Sequence, residues 1–242
     1  MQQTISMSKP ILIIQNISHE KPGLLLDVLH DHNINYSIID LSKGESLPQA
    51  TDFDAIFVFG GPQSANDTDG HIPQELDFIK EIVAQEIPYF GICLGMQLLV
   101  KATGGKVIPC DRKEIGWWDH KDKLFSIYYS SSYMLDDMLQ NINNNIPIFQ
   151  LHGETVELTP KHRSVAHASG CKDQFIRYGK NAYGIQGHLE LSKEMLKEWI
   201  AIDTDLQKID TDYLITTYET MQGEYSIAGK QLFWNFLKLI KQ

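Results

Sequence analysis

Four short runs of apolar residues do most to limit how this chain can fold: "PILIIQN" (Pro10 to Asn16), "NYSIIDL", "DAIFVFG" and "PYFGI". Continuous apolar runs of this length suit strands buried on both faces. Between the first two lies "KPGLLLDVLHDHNI", with Leu25, Val28 and Leu29 at helical spacing. After the third comes "PQELDFIKEIVAQEI", where the spacing predicts a face of Leu76, Ile79 and Val83. "LGMQLLVKATGG" follows the fourth run and reads as a helix closed by Gly104 and Gly105. Strands alternating with helices predict an α/β fold: a mostly parallel, doubly wound sheet with helices on both faces.

The remainder is less regular. From about Lys106 to Asn145, with the serine cluster "YYSSSY" and the polar run "NINNN", shorter strands and loops are expected. "IPIFQLHG" and "RSVAHAS" read as strands, and "DQFIRYG" and "NAYGIQGH" as a pair joined at Gly179-Lys180-Asn181. "SKEMLKEWIAID" opens with Ser192 as an expected N-cap, and "GKQLFWNFLKLI" is helical. No repeat, low-complexity segment or long linker divides the 242 residues, so one domain over 1–242 is expected. Residues 1–9 are expected to be disordered, with order starting at Pro10 and Met7 a possible natural start. Residues 192–242 are expected to form a helical C-terminal extension.

The bulk numbers exclude some function classes. Formal net charge is -10, which repels phosphate backbones and argues against a nucleic-acid partner. Three cysteines, Cys93, Cys110 and Cys171, make no disulfide framework and fit a reducing compartment. No basic region followed by an apolar core marks a signal peptide, and no apolar run is long enough to span a bilayer. A cytoplasmic location, with no membrane partner, is the expectation.

Chemistry concentrates at "GICLGMQ". Cys93 stands after a buried-type strand and before a helix, with Gly91 and Gly95 two residues away on either side. A nucleophile on a sharp strand-to-helix turn needs small residues at those positions. The turn would also place the sulfur at a helix N-terminus, whose dipole favours thiolate. Taken alone, the motif equally suits a small buried structural cysteine. A base is offered by "GHLELS". His188 and Glu190, two apart in an extended segment, face the same side, so a carboxylate can orient an imidazole that takes a proton from a thiol. A solvated His and Glu at a strand end is the plainer alternative. Gly60 and Gly61 in "FGGPQS" directly follow the third strand, where backbone N–H groups can approach a ligand and, with the N–H of Leu94, form an oxyanion hole. A plain Gly-Gly-Pro turn is again the alternative, but the three features together are much less expected by chance than any one.

With "FGGPQS", "GICLGMQ" and His-x-Glu in place, the chain resembles the class I glutamine amidotransferase family from "PILIIQN" to "HLELS". "KEIGWW", "QLHGETVELTP" and "NAYGIQGHLELS" resemble its stand-alone, GMP-synthase-like branch. The resemblance implies that family's fold, with a flavodoxin-like core. It implies Cys93 as nucleophile, His188 as general base and acid, Glu190 as its orienter, Gly61 and Leu94 as oxyanion donors, and Gln97 in the glutamine pocket. One departure stands out. The family usually has a bulky residue just before the histidine, and Gly187 here is expected to remove packing beside His188. The implied reaction is hydrolysis of a γ-glutamyl amide through a γ-glutamyl thioester, releasing ammonia, without a cofactor.

Neither a Ser-Gly-Gly-x-Asp-Ser loop nor Gly-x-x-x-x-Gly-Lys-Ser/Thr occurs in the chain. A separate synthetase subunit could receive the ammonia, or the protein could act alone as a γ-glutamyl peptidase. A non-catalytic glutamine-binding regulator and a different class of cysteine enzyme are further alternatives, the latter opposed by Leu94 where such enzymes carry histidine. No metal site is expected. "NDTDG" lacks a glutamate twelve positions along and reads as a solvated turn. His152 in "HGETVELTP" stands at a strand end and could shape the site, but a turn is the preferred reading; Trp117 and Trp118 could form a binding wall or a subunit contact, with core packing of at least one ring preferred.

Overall fold

The computed structural model describes residues 7–129 and 136–240. A seven-stranded sheet organises them. Four strands come from the apolar runs: β1 (Ile11–Gln15), β2 (Tyr36–Asp40), β3 (Ala55–Val58) and β4 (Tyr89–Ile92). The chain then leaves the sheet. It passes through the long strand β5 (Lys106–Gly116), the short pair β6 (Ser126–Ile127) and β7 (Ile146–Pro147), and β8 (Gln150–Glu157). It returns as β9 (His162–Ala166), β10 (Phe175–Tyr178) and β11 (Ala182–Ile185). The order across the sheet is β2-β1-β3-β4-β11-β10-β9. β1 to β4 and β11 run parallel, and β10 and β9 close one edge antiparallel.

Both faces are covered. Along β1, Ile11 and Ile13 point to one core, and Leu12 and Ile14 to the other. Helices α1 (Leu24–Asp31) and α5 (Thr211–Leu239) cover the first face; α2 (Ile72–Ala84) and α3 (Leu94–Ala102) cover the second. The expected α1 face of Leu25, Val28 and Leu29 is buried. On α2 the buried face is Ile72, Glu75, Phe78, Ile79 and Ile82, with Leu76 and Val83 only half-buried. The predicted stripe was rotated because it did not count Ile72 and Phe78, and because an acidic residue, Glu75, lies on the buried side.

The irregular middle departs most from expectation. β5 is eleven residues long and pairs antiparallel with β8, with a register shift between Pro109 and Glu114. Most β5 side chains are exposed or half-buried, so no apolar run marks the strand. "IPIFQLHG" divides into β7 and the start of β8 rather than forming one strand, and "HGETVE" continues β8 rather than turning. Most of the "YYSSSY" segment lies outside the described residues.

The last helical region is a layer of the fold. Ser192 caps α4 (Lys193–Ile202), accepting from the Met195 N–H. In α5, Phe236 packs edge-on to Phe57 and Phe90 at ring distances of 5.1 and 5.3 Å, so this helix forms one face of the core. At the other end, the N–H groups of Ser8 and Lys9 donate to Asp54 Oδ2 at 2.6 and 3.0 Å. The chain is therefore tied down before Pro10, the expected start of order. No helix among the described residues is long and apolar enough to cross a membrane.

Candidate active site

β4 ends at Ile92, and α3 begins at Leu94. Cys93 alone makes the turn, at φ 52° and ψ −108°, a region that side chains with a Cβ rarely adopt. Its N–H still donates to the Ile185 carbonyl at 2.8 Å, so the strand pairing runs to the turn itself. Gly91 and Gly95 are required by close approach. A Cβ on Gly91 would lie 2.4 Å from the Gly95 carbonyl, and one on Gly95 would lie 2.2 Å from the Val58 carbonyl. The Tyr89 hydroxyl donates to the Gly95 carbonyl at 2.7 Å and pins the start of α3 to β4.

β11 lies beside β4 and delivers His188 and Glu190 to the same sheet edge. His188 Nδ1 stands 2.6 Å from Glu190 Oε1, and both side chains are 1% exposed. Glu190 Oε2 accepts from the Leu189 N–H at 3.0 Å. Burial disfavours charge on His188. The Glu190 carboxylate, with the Cys93 sulfur adding to it, outweighs that and holds the imidazole protonated well above its usual range. Thiol, imidazole and carboxylate thus stand in series, an arrangement that can move a proton off sulfur and hand it to a leaving group.

His188 is held from three directions, two on its main chain and one on its ring. Phe149 exchanges backbone hydrogen bonds with His188 at 2.8 and 3.3 Å. The Tyr225 hydroxyl donates to the His188 carbonyl at 2.9 Å. The Trp199 ring meets the imidazole edge-on at 4.9 Å. Gly229 lets α5 press close, since a Cβ there would lie 2.2 Å from the Leu189 carbonyl. Gly187 does not leave the histidine unsupported. A Cβ on it would come within 2.7 Å of Ile148 and Gln150, so those side chains already occupy the space that a bulkier residue would fill.

Gly60 and Gly61 lie against the turn. A Cβ on Gly60 would be 3.4 Å from Cys93 Cβ, and one on Gly61 3.4 Å from a Leu94 methyl. Buried Asn16 supports this loop, donating to the Phe59 carbonyl at 3.1 Å and accepting at its own carbonyl from Gln63 at 3.2 Å. Gln97 is buried and donates to the Glu154 carbonyl at 3.0 Å and to Gln186 Oε1 at 3.2 Å. Gln186 Nε2 in turn approaches the Cys93 sulfur at 3.8 Å. A cavity of about 300 Å³ opens on Cys93, lined also by Gly61, Leu94, Gln97, His152 and Glu154. All seven residues singled out from the sequence therefore gather around one sulfur or its orienting pair.

Other participants were set aside or carry no signal in the sequence. His152, expected in a turn, sits in β8 with its side chain buried, Nε2 at 3.1 Å from Glu114 Oε2 and Nδ1 at 3.0 Å from the Glu154 carbonyl. It was misread because β8 finds its partner, β5, in a segment without apolar patterning. Tyr225, Trp199, Gln186 and Asn16 carry no local motif. Trp117 is a core residue whose indole N–H donates to the Leu214 carbonyl at 3.1 Å, whereas Trp118 is half-buried. "NDTDG" is a turn, and no cluster of metal-binding type occurs among the described residues.

Residues 24–202 match the family described as glutamine amidotransferase class-I. The chain is 30% identical over 186 residues to the glutamine amidotransferase-like protein YfeJ of Salmonella typhimurium, covering 74% of this chain and 75% of that one. It is 29% identical over 166 residues to one of the subunits of the glutamine-hydrolysing GMP synthase of Natronomonas pharaonis, covering 68% and 79%. The longer GMP synthase of Natranaerobius thermophilus is matched over only 43% of its length. Among solved structures, a glutamine amidotransferase of Methylobacillus flagellatus superposes with a TM-score of 0.84 at 25% identity, covering 96% of this chain and 95% of that one.

Proposed function

From the premise that this chain belongs to the class I glutamine amidotransferase family, we propose that it hydrolyses the side-chain amide of glutamine with Cys93, His188 and Glu190. The observation that carries the reading is a buried imidazole, held by a carboxylate at 2.6 Å, that follows the strand paired with the one ending at Cys93, whose sulfur lines a cavity. The Cys93 thiolate attacks the amide carbon. The N–H groups of Gly61 and Leu94 stabilise the oxyanion, and Gln97 lines the pocket. His188 protonates the departing ammonia, which leaves a γ-glutamyl thioester. Water, deprotonated by the same His188, then attacks the thioester to give glutamate and free thiol. The relatives that are GMP synthase subunits favour transfer of the ammonia to a separate synthetase subunit.

A second reading, γ-glutamyl peptide hydrolysis, draws on a groove of about 560 Å³ that shares Lys113, Ile115 and His152 with the Cys93 cavity. Ammonia needs no such space, whereas an amino acid or peptide leaving group would. One assay separates the two: glutamate release from glutamine and from a panel of γ-glutamyl dipeptides, with Cys93→Ala alongside. The expected outcome is glutamine turnover that falls at least ~10³-fold in the variant. Turnover unchanged in Cys93→Ala would overturn the mechanism. A dipeptide preference would move the substrate assignment to the second reading.

A further inference from the structure

Glu20 lies in the loop between β1 and α1, and neither reading above uses it. Its main chain is fixed: the carbonyl accepts from Gln15 Nε2 at 3.1 Å, and the N–H donates to the Ile17 carbonyl at 3.2 Å. The residue is 8% exposed. It runs against the Gly60 backbone, where an added Cβ would lie 2.1 Å from Glu20 Oε2 and 3.4 Å from Cys93 Cβ. That oxygen has no hydrogen-bond partner among the described residues. The ionisable groups that face it are His188 and Glu190, beyond β11, and Asp203 at the end of α4, with Cys93 across Gly60.

We propose that Glu20 is a proton-holding positioning residue, whose uncharged carboxyl packs behind Gly60 and keeps a further negative charge away from the Cys93 sulfur. The proposal rests on the reading of Cys93 as the nucleophile. An ionised carboxylate buried with one oxygen unpartnered is costly, and a carboxylic acid in the same place is much less so. Ionisation would set a like charge beside the thiolate and disfavour it. Burial raises Glu20 to about 7; His188 opposes that shift, and Glu190 and Asp203 reinforce it. Its proton is therefore lost to solvent within the neutral range.

The test is the rate of Cys93 alkylation by iodoacetamide as a function of pH, read by mass spectrometry of the Cys93 peptide in wild type and Glu20→Gln. Glutamine keeps the shape and cannot ionise. In wild type the observed rate should show an inflection as Glu20 ionises and fall up to about tenfold short of Glu20→Gln above it, because the added charge lowers the fraction of Cys93 present as thiolate by the equivalent of about one pKa unit. In Glu20→Gln that inflection should vanish. The same inflection in both proteins, or none in either, would overturn the proposal, because a merely structural Glu20 moves no midpoint. Should Glu20→Gln fail to fold, the wild-type carboxyl is titrated by ¹³C NMR with through-bond assignment. Titration in the neutral range supports the proposal, and titration in the ordinary carboxylate range sinks it. Alkylation needs no substrate, so failure of wild type to turn over glutamine would overturn the proposed reaction while this profile still reports on Glu20.

Discussion

Cys93 stands in a backbone conformation that its neighbours impose, with glycines at 91 and 95 because atoms of the chain itself fill the space a side chain would need. Strain of this kind, on the order of 1–3 kcal/mol, persists only where the surroundings hold it. At this scale the pH dependence follows from one pair. Burial disfavours charge on His188, and the Glu190 carboxylate is the main influence holding its proton. Removing that carboxylate lowers the pH at which the imidazole loses its proton. Glu190→Gln should therefore shift the alkaline limb of kcat/KM to lower pH and reduce kcat by up to about 10⁴-fold. A pH–rate profile checks both, and an alkaline limb that stayed in place would show that Glu190 does not set the titration.

Among the elements, α5 has a part that its sequence barely advertises. It supplies Tyr225 to the His188 carbonyl and lies against Leu189 through Gly229. Two glycines of this helix make a paired experiment. Gly229→Ala would push a methyl toward a main-chain carbonyl 2.2 Å away, which cannot rotate aside. A loss of about 1–3 kcal/mol by urea denaturation is expected, with reduced activity. Gly223 has nothing within 4 Å of its would-be Cβ. Gly223→Ala should stabilise by roughly 0.5–1 kcal/mol, the ordinary helix-propensity gain. Equal effects from the two would refute the close-approach argument.

For the molecule as a whole, the site depends on a core that joins distant parts of the chain. Phe236 touches the rings of Phe57, Phe90 and Tyr183, so the last helix closes over β3, β4 and β11. β4 and β11 also carry the two halves of the site, Cys93 and His188. Phe236→Ala should cost about 3–5 kcal/mol in chemical denaturation. Ile227, 70% exposed on the same helix, should tolerate alanine within about 0.5 kcal/mol. A small effect at Phe236 would mean that α5 is an appendage, as a C-terminal extension would be.

Much of this was legible in the sequence because the signals are local. Apolar runs bounded by helical patterns marked the parallel strands, since a strand buried on both faces must be apolar throughout. The Gly-x-Cys-x-Gly turn, the Gly-Gly loop and His-x-Glu marked the candidate site, since each needs residue types fixed within a few positions. What only the tertiary structure decided is non-local. β5 is exposed or half-buried along most of its length, and β8 makes it a strand. The pairing of β11 with β4 sets His188 beside Cys93. Glu20, Asn16 and Tyr225 come to the site from loops and helices far along the chain, where a residue's neighbours in sequence carry no record of its neighbours in space.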